Sequence, residues 1–236
     1  MKTIQHTQDP IIQKFRTTSF KIAVQKNGEL TDLSHLIISH LLHNQFTSHN
    51  NSKRLISVSD KGDIGIFWAK NKSMFQLVAD GFVDAAVLGN DQILEENENQ
   101  NVVIINNLKK VANWPIVIAT PIDSHIKKMS QIQSIATQYP NISRRFFTKR
   151  HLPIKIIPFK GSCEGSVYLS PKINAVVDIA VTGMTLRDNG LRRWLNPITY
   201  VYPVIIANAM SLQQKDKRNY FVRLKKHLTR EDVYEN

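Results

Sequence analysis

Ala175-Val176-Val177-Asp178-Ile179-Ala180-Val181-Thr182-Gly183-Met184-Thr185-Leu186-Arg187-Asp188-Asn189-Gly190-Leu191 is the stretch from which the fold can be read. The apolar, β-branched run over 175–181 has the composition of a buried strand. It stops at Thr182-Gly183, and a helix is expected at once, over 185–194. A helix start presents unpaired backbone N–H groups and the positive end of the helix dipole. Gly183 lets the backbone approach a ligand with no side chain in the way, and Thr182 and Thr185 add hydroxyl donors. Together these features make a phosphate cradle. The same residues also suit a plain strand-to-helix turn capped by threonine, and the local sequence does not separate the two.

Outward from this stretch, strands and helices alternate along most of the chain. Strands are expected over 20–25, 54–58, 64–69, 84–88, 102–105, 116–119, 134–137, 154–158, 175–181 and 200–206. The two β-branched runs 102–105 and 116–119 read as central strands. Helices are expected over 33–42, with Thr31 or Asp32 as N-cap, and over 73–80, 92–97, 141–149 and 185–194, with a further one at the C-terminus. Alternation of this kind implies an α/β fold of two lobes with mainly parallel sheets. Residues 1–19 are polar and form an extension with one short helix at most. Residues 20–115 plus 198–236 form lobe I and 116–197 form lobe II, inserted through two crossing strands above an interlobe cleft.

The totals narrow the function classes. The 236 residues carry a net charge of +12, with 42% hydrophobic and 21% charged residues, an ordinary soluble composition. No apolar run approaches the roughly 18 residues needed to span a bilayer, so no membrane partner is expected. Residues 1–20 lack the apolar middle of a secretory signal, which argues against an exported solute-binding protein. Cys163 is the single cysteine, so an intrachain disulfide is excluded and a cytoplasmic setting is expected. A basic balance suits an anionic partner: nucleic acid, a phosphorylated small molecule or an acidic subunit. The densest basic segment, Lys215 to Arg230, reads as the solvated face of a terminal helix. There is no aromatic-basic motif of the RNA-recognition kind, so nucleic acid is not the expected partner.

Several segments, in order, resemble the ATP phosphoribosyltransferase family. Thr182-Gly183-Met184-Thr185-Leu186 with Asn189-Gly190-Leu191 is similar to that family's phosphoribosyl-diphosphate loop. The 136–147 segment, with Tyr139-Pro140 and Arg144-Arg145, resembles its second-lobe strand, turn and basic helix. Gly161-Ser162-Cys163-Glu164 resembles its Gly-Ser-x-Glu segment, although Gly165-Ser166-Val167-Tyr168 offers another register with Tyr168 at the glutamate position. Asp80 to Asp91 resembles its Gly-x-x-Asp-x-x-x-x-Gly segment, and Lys21 to Gly28 its opening strand and turn.

The resemblance implies the two-lobed fold of type II periplasmic binding proteins. It also implies transfer of phosphoribosyl from phosphoribosyl diphosphate to N1 of ATP, with Mg2+, as the first step of histidine biosynthesis. Thr182, Gly183, Met184, Thr185 and Leu186 would hold the 5′-phosphate, with Gly161 and Ser162 nearby. Asp178 would face the ribose hydroxyls, Glu164 would orient, and Lys26 with Gly28 would border the pyrophosphate and ATP. The metal ligands are not fixed by the resemblance. The length matches the family's short form, which works in an oligomer with a separate regulatory subunit related to histidyl-tRNA synthetase.

The first lobe departs from the family's pattern. Glu29 follows Gly28 where arginine is usual, Trp68-Ala69-Lys70-Asn71 stands for Arg-Ala-Lys-Asp, and Trp114-Pro115 stands for Cys-Arg. Three phosphate-binding guanidinium groups are thereby missing. This leaves an alternative: a catalytically altered paralogue with another acceptor, or a non-catalytic binding protein. His35, His40, His43 and His49 read as surface or boundary histidines, since no carboxylate or cysteine set accompanies them. Trp68 and Trp114 read as core residues or as stacking partners for a base, and Cys163 as a small buried residue.

Overall fold

The computed structural model describes residues 9–42, 54–96 and 99–225. His43, His49 and the basic residues beyond Lys225 lie outside the described residues. The chain divides into a first compact unit (Met1–Gln92, Glu98–Ala112, Pro203–Asn236) and a second (Ile93–Asn97, Asn113–Tyr202).

In the first unit, β1 (Phe20–Gln25) has every residue from Ile22 to Val24 buried. It runs parallel to β3 (Ile64–Ala69) and β4 (Ala85–Gly89). The short β2 (Ile56–Val58) closes one edge antiparallel to β3. On the other side β12 (Pro203–Asn208) pairs antiparallel with β4, and β5 (Val102–Asn107) with β12. The order is β2-β3-β1-β4-β12-β5.

The helices α1 (Pro10–Thr17), α2 (Thr31–Leu41), α3 (Asn71–Ala79), α7 (Ala209–Gln213) and α8 (Arg218–Leu224) belong to this unit. Helix α1 is a capped element of the unit: Asp9 accepts from the Ile11 N–H at its start, and Arg54 pairs with Asp9 at 3.0 Å. Leu33, Ile37, Ile38 and Leu41 form the buried stripe of α2, at the spacing that gave the helix away.

A buried polar knot ties the elements around β1 and β4. The Asp84 carboxylate accepts from the Lys21 N–H at 2.7 Å, the Ser211 hydroxyl at 2.6 Å and the Lys217 ammonium at 2.8 Å. Farther along the terminal segment, Arg223 donates to the Leu41 carbonyl. Two of the basic side chains expected to be solvated are thus structural anchors.

In the second unit, β6 (Trp114–Pro121), β7 (Ser134–Thr137), β8 (Lys155–Pro158), β9 (Ala175–Ile179), β10 (Leu191–Arg193) and β11 (Thr199–Val201) form one sheet. Its order is β10-β6-β9-β7-β8, with β11 also paired to β6. β7 is parallel to β8 and β9, while β6 is antiparallel to β9, β10 and β11. Ile116, Ile118, Ile135 and Val177 build one face of the core, with Ile142 and Phe147 from α5 (Pro140–Thr148) packed on it.

The start of α5 is capped from a distance in sequence. Glu95, at the end of α4 (Asn90–Glu95), accepts from the N–H groups of Asn141 at 3.0 Å and Ile142 at 2.7 Å. A carboxylate there satisfies two orphan donors and meets the positive end of the helix dipole.

The α/β class and the presence of two sheets agree with the sequence reading, with four corrections. The sheets are mixed rather than mainly parallel: three parallel strands in each are extended by antiparallel ones, on both sides in the first sheet and beyond β9 alone in the second. β5 is an edge strand, with Ile104 half exposed, so its β-branched content did not signal a central position. The expected single strand over 200–206 is two, β11 and β12, which enter different sheets around Tyr202. The N-cap of α2 is Leu30, and Thr31 sits inside the helix with its hydroxyl donating to the Gly28 carbonyl.

Candidate functional site

The second unit brings most of the expected site residues to the end of β9. Asp178 is the fourth residue of that strand and is buried. Its Oδ1 accepts from the Ile179 N–H at 2.8 Å, and its Oδ2 lies 3.5 Å from the Cys163 thiol, which donates to it. Glu164 opens the 3-10 turn Glu164–Tyr168 and is about nine-tenths buried. A ligand atom from each of Cys163, Glu164 and Asp178 lies within 4.8 Å of the others. Of the two registers open in the sequence, it is Glu164 that stands beside Asp178. Tyr168 is exposed, and its hydroxyl donates to the carbonyls of Asn189 and Gly190.

Burial, reinforced by the Asp178 carboxylate, pushes the Cys163 thiol well above its ordinary range. The thiol therefore stays protonated at neutral pH and acts as a donor that orients Asp178. This contact was not read from the sequence, where nothing marked the cysteine as more than a small buried residue. With the thiol turned onto Asp178, the set offers two carboxylates. Two carboxylate oxygens suit a hard divalent cation that also keeps waters and substrate phosphates.

After β9 the chain turns through Thr182 and Gly183 into α6 (Met184–Asp188). Gly183 has φ +72°, a left-handed conformation that favours glycine, and a Cβ built there would meet nothing within 4 Å. The Thr182 hydroxyl accepts from the Met184 N–H at 3.2 Å. Thr182, Met184 and Thr185 are exposed, whereas Leu186 is buried and anchors the turn.

The expected helix over 185–194 is shorter than its sequence pattern implied. Asn189 turns its side-chain amide back onto the Thr185 carbonyl, and Gly190 follows at φ +65°. Leu191–Arg193 then pairs with Ala119–Pro121 as β10. An Asn-Gly stop is a C-terminal signal; the apolar spacing beyond it belongs to a strand.

An open pocket of about 610 Å3 adjoins the turn. Thr182, Gly183 and Leu186 line it together with Arg187, Arg192 and Arg193, and Ile122 and Leu191 add apolar wall. The arginines were missed as site residues because 192 and 193 were read as part of a helix.

The remaining expected residues lie elsewhere. Gly161 (φ +99°) and Ser162 are exposed, just before Cys163. Lys26 and Gly28 follow β1 in the first unit; the Lys26 ammonium donates to the Arg54 carbonyl at 3.4 Å, and Gly28 has φ +120°. Trp68 is buried, and its ring N–H donates to the Ser57 hydroxyl, so it is a core residue rather than a platform for a base.

Fold and site together define a two-sheet α/β protein of the periplasmic-binding-protein kind, with a glycine turn and paired carboxylates at one strand end. The family model described as HisG, ATP phosphoribosyltransferase, matches residues 70–230. The chain belongs to the ATP phosphoribosyltransferase family. It is 30% identical over 203 residues to the ATP phosphoribosyltransferase of Ruminiclostridium cellulolyticum, covering 84% of this chain and 90% of that protein. It is also 30% identical over 168 residues to that of Methanosarcina mazei, covering 70% of this chain and 56% of that protein. The chain thus spans little more than half the length of the archaeal relative.

Among solved structures, the ATP phosphoribosyl transferase (HisG:HisZ) complex from Thermotoga maritima matches with TM-score 0.68 at 23% identity, over 92% of this chain and 96% of that one. The substrate binding protein of an amino acid ABC transporter matches with TM-score 0.54 at 13% identity, over 92% of both chains. These two likenesses establish the fold. No helix among the described residues is long and apolar enough to cross a membrane.

Proposed function

We propose that this chain transfers phosphoribosyl from phosphoribosyl diphosphate to N1 of ATP, releasing pyrophosphate, as the first step of histidine biosynthesis in the cytoplasm. The observation that carries the reading is the family match over residues 70–230, which contains Glu164, Asp178 and the Thr182-to-Leu186 turn. Nothing in the relatives favours the alternative of an altered paralogue. The division into an extension (1–19), lobe I (20–115 plus 198–236) and lobe II (116–197) belongs to the same proposal. So does a regulatory subunit like the HisZ chain in the Thermotoga maritima complex.

The chemistry asks for charge control at a ribosyl centre that becomes cationic as pyrophosphate leaves. The N–H groups of Gly183, Thr185 and Leu186 and the hydroxyls of Thr182 and Thr185 hold the 5′-phosphate. Met184 borders it, and Gly161 and Ser162 flank the site. The Asp178 carboxylate, steadied by the Ile179 N–H and the Cys163 thiol, accepts from the ribose hydroxyls. Glu164 orients that diol and, with Asp178, would hold Mg2+. A cation bound there would supply positive charge to the leaving pyrophosphate. Lys26 meets the pyrophosphate as a point charge, and Gly28, at φ +120°, makes the turn beside it.

Calorimetric titration with phosphoribosyl diphosphate and Mg2+, followed by ATP, tests the assignment. Binding of the first and then of the second is expected. A folded chain with no affinity for phosphoribosyl diphosphate would sink the proposal.

A further inference from the structure

The pocket beside the Gly183 turn carries more positive charge than the turn itself supplies. Arg187 reaches it from α6, and Arg192 and Arg193 from β10, whose pairing with Ala119–Pro121 fixes their place beside the turn. No acidic residue lines the pocket. All three arginines are exposed, and among the described residues none of their guanidinium groups has a hydrogen-bond or ion-pair partner. Three like charges around one cavity repel one another, so an arrangement without a counter-ion gains from an anion that enters it. The guanidinium fork matches a phosphate in two-point geometry. The volume is in the range of small-molecule sites and exceeds what one inorganic phosphate needs.

We propose that Arg192 and Arg193, with Arg187, form an extended subsite for a sugar 5′-phosphate, so that this chain grips its phosphoribosyl donor chiefly at the 5′ end. The inference rests on the transferase reading for the identity of the donor. It also answers the charge pattern of the sequence. The segments around Gly28, Trp68 and Trp114 lack arginines, and the β10 segment supplies two. Arg192 and Arg193 are binding and specificity residues; they take no part in bond breaking.

Ribose 5-phosphate and inorganic pyrophosphate, titrated separately into the full chain, read the two ends of the donor independently. Replacing both residues, R192Q with R193Q, is expected to weaken ribose 5-phosphate about 100-fold, roughly tenfold per charge-assisted contact, and to leave pyrophosphate unchanged. The double lysine variant, R192K with R193K, should recover part of the loss and steepen the salt dependence again. Both side chains are exposed, so the thermal midpoint should stay put, which separates lost binding from lost folding. Ribose 5-phosphate affinity within twofold of the wild type in the glutamine variant overturns the subsite. So does a wild-type chain that binds neither ribose 5-phosphate nor inorganic phosphate. Arginine-dependent binding of ribose 5-phosphate without any phosphoribosyl-ATP formation, alone or with a regulatory subunit of the HisZ kind, supports the subsite and contradicts the transferase reading.

Discussion

Gly183→Ala separates the ligand role of the turn from its role in folding, because the structure contains a matched control. Gly183 and Gly62 have nearly the same backbone, φ +72° and +76°, and an added Cβ meets nothing within 4 Å at either. Gly62 lies in the turn between β2 and β3, with its N–H donating to the Ser59 carbonyl. A left-handed conformation costs an L-residue roughly 1–2 kcal/mol. The lower chain entropy of unfolded alanine returns about 0.4–1 kcal/mol of that. Each substitution should therefore cost about 0.5–1 kcal/mol, a fall on the order of 0.5 M in the urea midpoint. Only at Gly183 does the new methyl stand where a phosphate would approach the turn. Losing one or two charge-assisted contacts there weakens binding by about 10- to 100-fold. Urea unfolding and calorimetry with phosphoribosyl diphosphate measure the two effects. Equal affinities for both variants, or a Gly183→Ala chain that binds like the wild type, would refute the assignment of the turn.

Further outcomes follow from individual contacts. Asp178→Asn should fold, since its amide oxygen still accepts from the Ile179 N–H, and should reduce transfer at least 100-fold with a smaller change in donor affinity. Steady-state kinetics check this, and wild-type turnover would contradict the ribose role. Glu95→Ala removes the acceptor at the start of α5 and should cost about 1–2 kcal/mol, read by chemical denaturation. Asp91 is buried, which raises its carboxyl above the ordinary value, with the Gln92 amide opposing. A raised folded-state value means that stability falls as pH rises from about 3.8, the unfolded value, through the raised one. Asp91→Asn should remove that slope and raise the urea midpoint at neutral pH; an unchanged midpoint would show that burial there carries no cost.

Much of the fold was legible because hydrophobic period and length agreed. Phe20–Gln25, Ile64–Ala69 and Ser134–Thr137 are strands with the bounds that alternation and β-branching implied. Position within a sheet was less legible. Val102–Asn107 has the composition of an interior strand yet lies at an edge, where the pairing of β12 decides the outcome. The 185–194 segment failed for a local reason: Asn189-Gly190 ends the helix, and three residues are enough to continue as a strand beside β6.

At the site, residues close in sequence were found together. Asp178 and the Thr182–Leu186 turn follow one another on the chain, so the motif announced them. The Cys163–Asp178 contact spans 15 residues, and no spacing rule exposes it. Arg192 and Arg193 went unrecognised for the same reason that the helix was drawn too long.

Formation of phosphoribosyl-ATP, followed by absorbance with phosphoribosyl diphosphate, ATP and Mg2+, tests the central claim most directly. The account predicts product from the wild-type chain, with little or none from Asp178→Asn at the same protein concentration. A wild-type chain that binds phosphoribosyl diphosphate but forms no product, alone or with a regulatory subunit of the HisZ kind, would contradict it.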